Sequence, residues 1–415
     1  MLVFMSDIHL TDGTSGKTIK SGAFKKFSLF LEDMIGTATA KELEIVFLGD
    51  IFDVIRSDYW LNSSIRPWSG IDDKDGQGKG LKDYAGEIVG RICNNSENKA
   101  SVDYLRELQD KMVGKGMPLK ITYVVGNHDW LINRYPETRV AIAKFLGMDD
   151  PDRYQEAAFP TEWFWEKYRA FARHGDIYDP FNFDGRRDAS SLGDAIVIDL
   201  VNRFPKAVED AIGSAEDPDL ISQLREIDNV RPLVDIPSWI QGACRGARSV
   251  EIVEKVKEIW NDLVDYFLKI EFVKQHDRPW RLDAVDALQW GLRISKHLPL
   301  KEIANLPLRK FHRSRTDYTE RAYREEHVRR NEAEFVLYGH THNYEIQPLD
   351  NVPMAGESKR KTYFNTGTWR LLHVRTAYDT ESQEFQSWNV MTFITLYLNG
   401  ERENREFEVW HGALG

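Results

Sequence analysis

Cysteine is almost missing from this chain: Cys93 and Cys244 are the only two in 415 residues. Two thiols cannot build a disulfide framework or a thiolate metal site, and a reducing cytoplasm is the expected location. Long hydrophobic runs are missing too, and no charged n-region precedes the first apolar stretch, so neither a transmembrane segment nor a leader is expected. Positive charge is in deficit, with 55 Lys and Arg against 66 Asp and Glu and a net charge of -11. That balance argues against a general nucleic-acid coat protein, which needs a basic footprint, and leaves room for an acidic enzyme with a locally positive pocket. No repeat or long low-complexity tract is present, and the 12 tryptophans scatter without period. What remains is 42% hydrophobic and 29% charged. This is an ordinary globular composition, in a chain long enough for a large core and a second lobe.

Short β-rich runs at residues 2–5, 44–48, 121–125, 171–173 and 335–338 read as strands. Between the first two, Phe24, Phe27, Leu31 and Ile35 recur at helical spacing, the strand–helix–strand opening of an α/β chain. The stretch 57–98 is rich in Gly, Asp and Asn, and its "GIDDKDGQGKG" reads as a loop. Helical periodicity resumes over 102–113. From 194 to 330 the patterns are mostly helical, clearest in the face made by Ile252, Val256, Ile259, Trp260, Leu263 and Phe267. Strands return with "KTYFNTGTW" and "VMTFITLYL". The expected organisation is an α/β core over 1–193 and 331–415, interrupted by a helical insertion or cap lobe over 194–330.

The strand runs share an ending. "FMSDIHL" closes on Asp7 and His9, two residues apart and so on one face of an extended chain. "IVFLGDIFD" supplies Asp50 and Asp53, and "YVVGNHD" supplies Asn127, His128 and Asp129. "ARHGD" supplies His174 and Asp176, and "VLYGHTH" supplies His340 and His342. Glycine lets the backbone bend sharply at such a junction, and strand ends are where α/β sheets assemble their sites. Any one of these turns alone is more often a plain turn. Five in order, carrying Asp, Asn and His without Cys, form a ligand set for hard-to-borderline divalent metals.

The series Asp-x-His, Gly-Asp-x-x-Asp, Gly-Asn-His-Asp, His and Gly-His-x-His resembles the calcineurin-like metallophosphoesterase superfamily. The likeness covers roughly 1–179 and 334 to near the C-terminus, but not the helical insertion. It implies an αββα sandwich core, two packed sheets flanked by helices. It also implies two divalent metal ions. Asp7, His9, Asp50 and His342 would surround one, and Asp50, Asn127, His174 and His340 the other, with Asp50 bridging. Mn²⁺ is the expected metal, with Fe, Zn, Ni and Co also suited to such ligands. The implied reaction is hydrolysis of a phosphoester or pyrophosphate by a metal-bridging hydroxide. His128 would assist at the phosphoryl or leaving group, with Asp129 orienting it and keeping it protonated. Asp53 and Asp176 would support the ligands from behind.

"HGD" followed by Asp179, with Arg56 and Trp60 after "GDIFD", is partly similar to the UDP-diacylglucosamine pyrophosphatase branch, which more often has Arg where His128 stands. Arg56 and Trp60 are candidate substrate contacts, as is His312 within the basic stretch "LRKFHRSR". The expected substrate is a phosphorylated small molecule or nucleotide-type compound. A nuclease of the same superfamily is the enzymatic alternative, disfavoured by the acidic balance. A non-catalytic metal-bearing interaction module is the alternative from another class. Oligomeric state is not legible.

Overall fold

A computed structural model describes residues 1–231, 235–276, 318–354, 357–376 and 384–414. The strands among them are β1 (Leu2–Met5), β2 (Leu43–Leu48), β3 (Leu119–Val124), β4 (Glu162–Trp165), β5 (Ala170–Arg173), β6 (Val230–Arg231), β7 (Phe335–Tyr338), β8 (Tyr344–Met354), β9 (Glu357–Thr366), β10 (Leu371–Arg375), β11 (Phe385–Leu396) and β12 (Phe407–Leu414). They form two mixed sheets, ordered β3-β2-β1-β11-β10-β6, with β12 also pairing with β11, and β4-β5-β7-β9-β8. β1, β2 and β3 run parallel, as do β5, β7 and β9. The chain is therefore a mixed α/β protein.

Side-chain alternation sets the layering. Leu2, Phe4, Val46, Leu48 and Val124 of the first sheet share one apolar cluster with Ala170, Ala172, Leu337 and Phe364 of the second. Val3, Met5, Ile45 and Phe47 point the other way, onto Phe24, Phe27 and Leu31 of the helix Gly22–Thr37. Phe171, Val336 and Tyr338 turn from the shared cluster toward Ala322 and Val328 on two short helices. Each fully buried Phe or Leu contributes about 1.5–3 kcal/mol of hydrophobic stabilisation.

Residues 70–80, read as a loop, carry no helix or strand, and a helix not anticipated from the sequence follows them. Leu81–Asn94 is a helix burying Leu81, Tyr84, Ala85, Ile88, Val89 and Ile92. Its apolar face is regular, but the Gly- and Asp-rich residues before it dilute the pattern over the longer window. The helical region after residue 190 has its own apolar core, including Leu192, Phe204, Leu224, Ile240, Val264 and Phe267. It is nonetheless continuous with the first sheet, because β6 lies within it and pairs in parallel with β10. Arg66 also grips Asp199 with two bonds of 3.0 and 3.2 Å, and Trp68 stacks on Phe272 at 4.7 Å. His312 lies outside the described residues.

Candidate metal centre

The turns after β1, β2, β3, β5 and β7 meet at one place. Those after β1 and β2 continue to pair beyond their strands: Asp7 N donates to Gly49 O, and His9 N to Asp50 O at 2.9 Å. The "NTGTW" segment fastens the same loops, since Thr368 Oγ1 donates to Asp7 O at 2.7 Å and Asn365 Nδ2 to Gly339 O at 2.7 Å. Close approach is also built in. A Cβ on Gly126 would lie 2.3 Å from Asp50 Oδ1, and one on Gly339 would lie 2.7 Å from Asp7 Oδ2. Neither glycine has a positive φ, so both are needed for space and not for a bend. The strained backbone falls elsewhere: Asp7, His9, Asp50, His340 and His342 all have φ between 51° and 70°. Left-handed non-glycine residues gathered in this way mark sites that the surrounding structure over-determines.

Two adjoining groups of potential metal ligands result. Asp7, His9 and His342 form one, and Asp50, His174 and His340 the other, each with ligand atoms within 4.8 Å of one another. In the first, His9 Nε2 lies 3.1 Å from His342 Nε2, and Asp7 Oδ1 is 3.3 Å from His342 Nε2. In the second, His174 Nε2 lies 3.1 Å from Asp50 Oδ2, and Asn127 Oδ1 is 3.0 Å from His340 Nδ1. His174 Nδ1 donates to Leu48 O at 2.9 Å, which leaves only Nε2 to face a cation. Asp7 Oδ1 and His174 Nε2 are buried with no hydrogen-bond partner. Orphans of this kind cost about 1–3 kcal/mol each in a dry interior, and a cation would satisfy both. The donor set and its orphaned atoms fit divalent ions.

Charge reinforces the fit. Burial works against every ionised group here, yet Asp50 is held well below the usual carboxylate range by His174, His128 and His9. Burial likewise opposes a proton on His174, but Asp50 and Asp7 outweigh it and push its pKa up to about 10. Burial keeps Asp7 raised, and it keeps His9 and His342 neutral, helped by Arg370 beside the former and Arg231 beside the latter. A neutral imidazole is the form that ligates, so an ion at the second group would displace the proton that Asp50 and Asp7 hold on His174.

Asp53 is the hinge of a third group. Its Oδ2 takes His9 Nδ1 at 2.9 Å, its Oδ1 takes His128 Nδ1 at 2.8 Å, and Arg56 N donates to Oδ1 at 3.1 Å. Asp53, and not Asp129, is thus the partner of His128. Burial opposes the His128 cation, but Asp53 and Asp50 push its pKa up to about 10. Asp129 faces inward instead, accepting from Gly126 N at 2.6 Å, Ile51 N at 3.1 Å and the Tyr123 hydroxyl. It braces the turns, because a buried carboxylate takes whichever donors surround it.

Arg56 and Trp60 are not at a site mouth. Arg56 is 1% exposed and donates to Asn202 Oδ1 at 2.7 Å, and Trp60 is fully buried with its indole on Val54 O at 2.9 Å. Both join packed segments. Asp176 pairs with Arg187 at 2.5 Å and bonds no site histidine.

Three contributors were missed by sequence reasoning as site residues. Asp179 holds His340 Nε2 at 3.0 Å, and Asn182 links Asp179 to Asn127 at 2.9 and 3.3 Å. Asp179 was singled out in the sequence, five residues beyond His174, but not as the partner of His340. Arg231 reaches His342 Nδ1 at 2.8 Å from β6, with no sequence signal to announce it. Among the described residues no helix is long and apolar enough to cross a membrane. No family model matches the chain, and neither does any curated protein.

Proposed function

We propose that the chain is a metal-dependent hydrolase of phosphoester or pyrophosphate bonds, its two sheets forming a calcineurin-like αββα sandwich. The observation that carries this reading is the pair of adjoining ligand groups, each with a buried ligand atom that has no hydrogen-bond partner, beside His128, whose pKa Asp53 and Asp50 raise. Asp7, His9 and His342 would hold one divalent ion and Asn127, His174 and His340 the other, with Asp50 shared, and Mn²⁺ is the expected occupant. When bound, the ions supply Lewis acidity and lower the pKa of a water enough for it to attack phosphorus.

The protein's own groups do the rest. Asp53 turns His9 Nε2 toward Asp7 and His342 by holding Nδ1. The same carboxylate keeps His128 protonated, so Nε2 of that ring is the atom that donates to a phosphoryl oxygen or to the leaving oxygen. No protein nucleophile is required.

The test is hydrolysis of chromogenic phosphate mono- and diesters by metal-stripped protein reloaded with Mn²⁺, alongside elemental analysis and an Asp50→Asn control. Turnover by the reloaded protein and none by the control is expected. Protein that takes up no transition metal, or that is loaded and inert on every ester, overturns the reading.

A further inference from the structure

Arg231 is a charge that no carboxylate bonds directly. Its Nη1 donates to two backbone carbonyls, Asp228 O at 2.6 Å and Val230 O at 2.9 Å, and its Nη2 to His342 Nδ1 at 2.8 Å. Among the described residues it forms no ion pair with a carboxylate. The acid that acts on it most strongly, Asp228, is bonded elsewhere: Arg370 Nη1 lies 2.7 Å from its Oδ2, and Arg56 Nε 3.7 Å from the same atom. Three guanidiniums therefore share one carboxylate, directly behind His9 and His342. A half-buried arginine with no carboxylate bonded to it can take an anion that enters from solvent.

The bond to His342 sharpens the point. Nδ1 can accept from Arg231 only while the imidazole proton sits on Nε2, the nitrogen that faces His9 and Asp7. If Nε2 ligates a cation, the proton moves to Nδ1, and Nη2 of Arg231 loses its acceptor. The guanidinium is then free beside the ligand group, with its bonds to Asp228 O and Val230 O still anchoring it.

We infer that Arg231 is the anion anchor of this site, released from His342 when metal loads and then donating to a phosphoryl oxygen of the substrate. This rests on the metallohydrolase reading above. It assigns to the helical region, through β6, a direct part in recognising substrate. The phosphoryl group is either the one being cleaved or a second one next to it, and the two cases are separable.

The experiment compares wild type with Arg231→Met and Arg231→Lys, each Mn²⁺-loaded, for metal content, inhibition by inorganic phosphate and kinetics. Substrates are 4-nitrophenyl phosphate and a nucleoside diphosphate ester. Arg231→Met should keep its metal and raise the phosphate inhibition constant and KM by about 10- to 100-fold, the weight of a hydrogen bond to a charged group. Arg231→Lys should recover part of the loss. A rise in KM for both substrates places Arg231 on the cleaved phosphoryl group, and a rise for the diphosphate ester alone places it on the neighbour. Phosphate inhibition and KM for both substrates all within twofold of wild type in Arg231→Met overturn the inference. So does loss of metal from that variant, which would make Arg231 a prop for His342. Should Arg231→Met not fold, Arg231→Gln serves in its place. Wild-type protein that neither loads metal nor hydrolyses either ester fails the underlying reading instead.

Discussion

Replacing Asp53 with asparagine changes one oxygen to an amide nitrogen and should uncouple His9 from the ion it is proposed to hold. The carboxylate is fully buried and serves three donors: His9 Nδ1 at 2.9 Å, His128 Nδ1 at 2.8 Å and Arg56 N at 3.1 Å. Two of these converge on Oδ1, so an asparagine would keep its oxygen there and turn its NH₂ toward His9. His9 Nδ1 must then accept, which puts the imidazole proton on Nε2, the atom 3.1 Å from His342 Nε2. A protonated Nε2 cannot ligate. Restoring the ligating tautomer forfeits one charge-assisted bond, about 1.5–3 kcal/mol. That corresponds to a loss of metal affinity of about 10- to 100-fold, the range usual for groups that orient a metal-bound histidine. Titration of stripped protein in Mn²⁺ buffers against a competing fluorescent chelator measures it directly. Wild-type affinity in Asp53→Asn would show that His9 is not a ligand or that its tautomer is set by something else.

His128→Ala should retain full metal content while kcat falls by about 10²- to 10⁴-fold, the span of a general acid, as read by steady-state kinetics with elemental analysis. Gly126→Ala places a methyl 2.3 Å from Asp50 Oδ1 and 2.8 Å from Asp50 N. It should abolish metal binding while circular dichroism still reports a folded chain, and undiminished metal uptake would refute the close-approach argument. Glu226 predicts a pH effect away from the site. Burial works against its carboxylate, but His373, Lys17 and Asn229 bring its pKa down from 4.5 to about 2. A depressed acid stabilises the fold above its unfolded pKa and loses that contribution as pH falls through the folded one. Some 3 kcal/mol should therefore disappear between roughly pH 4.5 and 2. Urea titrations should show a shallower acid limb in Glu226→Gln, and an unchanged limb counts against the Lys17–Glu226–His373 linkage.

The strand ends were legible because hydrophobic runs stop abruptly where polar ligands begin. The segments read at 2–5 and 335–338 coincide with β1 and β7, and the other three lie within two residues of β2, β3 and β5. The convergence of their turns could be anticipated from side-chain type and order. Pairing within the site could not. Asp129 is adjacent to His128 in sequence, yet Asp53, seventy-five residues earlier, holds the ring. Adjacent residues at a turn diverge, while loops from neighbouring parallel strands face one another. Arg56 and Trp60 misled for a related reason: large polar-tipped side chains next to a motif look available until their acceptors, Asn202 and Val54 O, are known. Arg231 was invisible because a two-residue strand inside helical sequence leaves no periodicity to detect.

That two-residue strand bears on how such a chain can be altered. A region joined to its host only by linkers can be exchanged like a cassette. Here the region carries an edge of the host's own sheet through Val230 and Arg231 against His373 and Val374. Any transplant that swaps it must rebuild that edge in the recipient, so this part of the molecule is inherited together with the sheet or not at all.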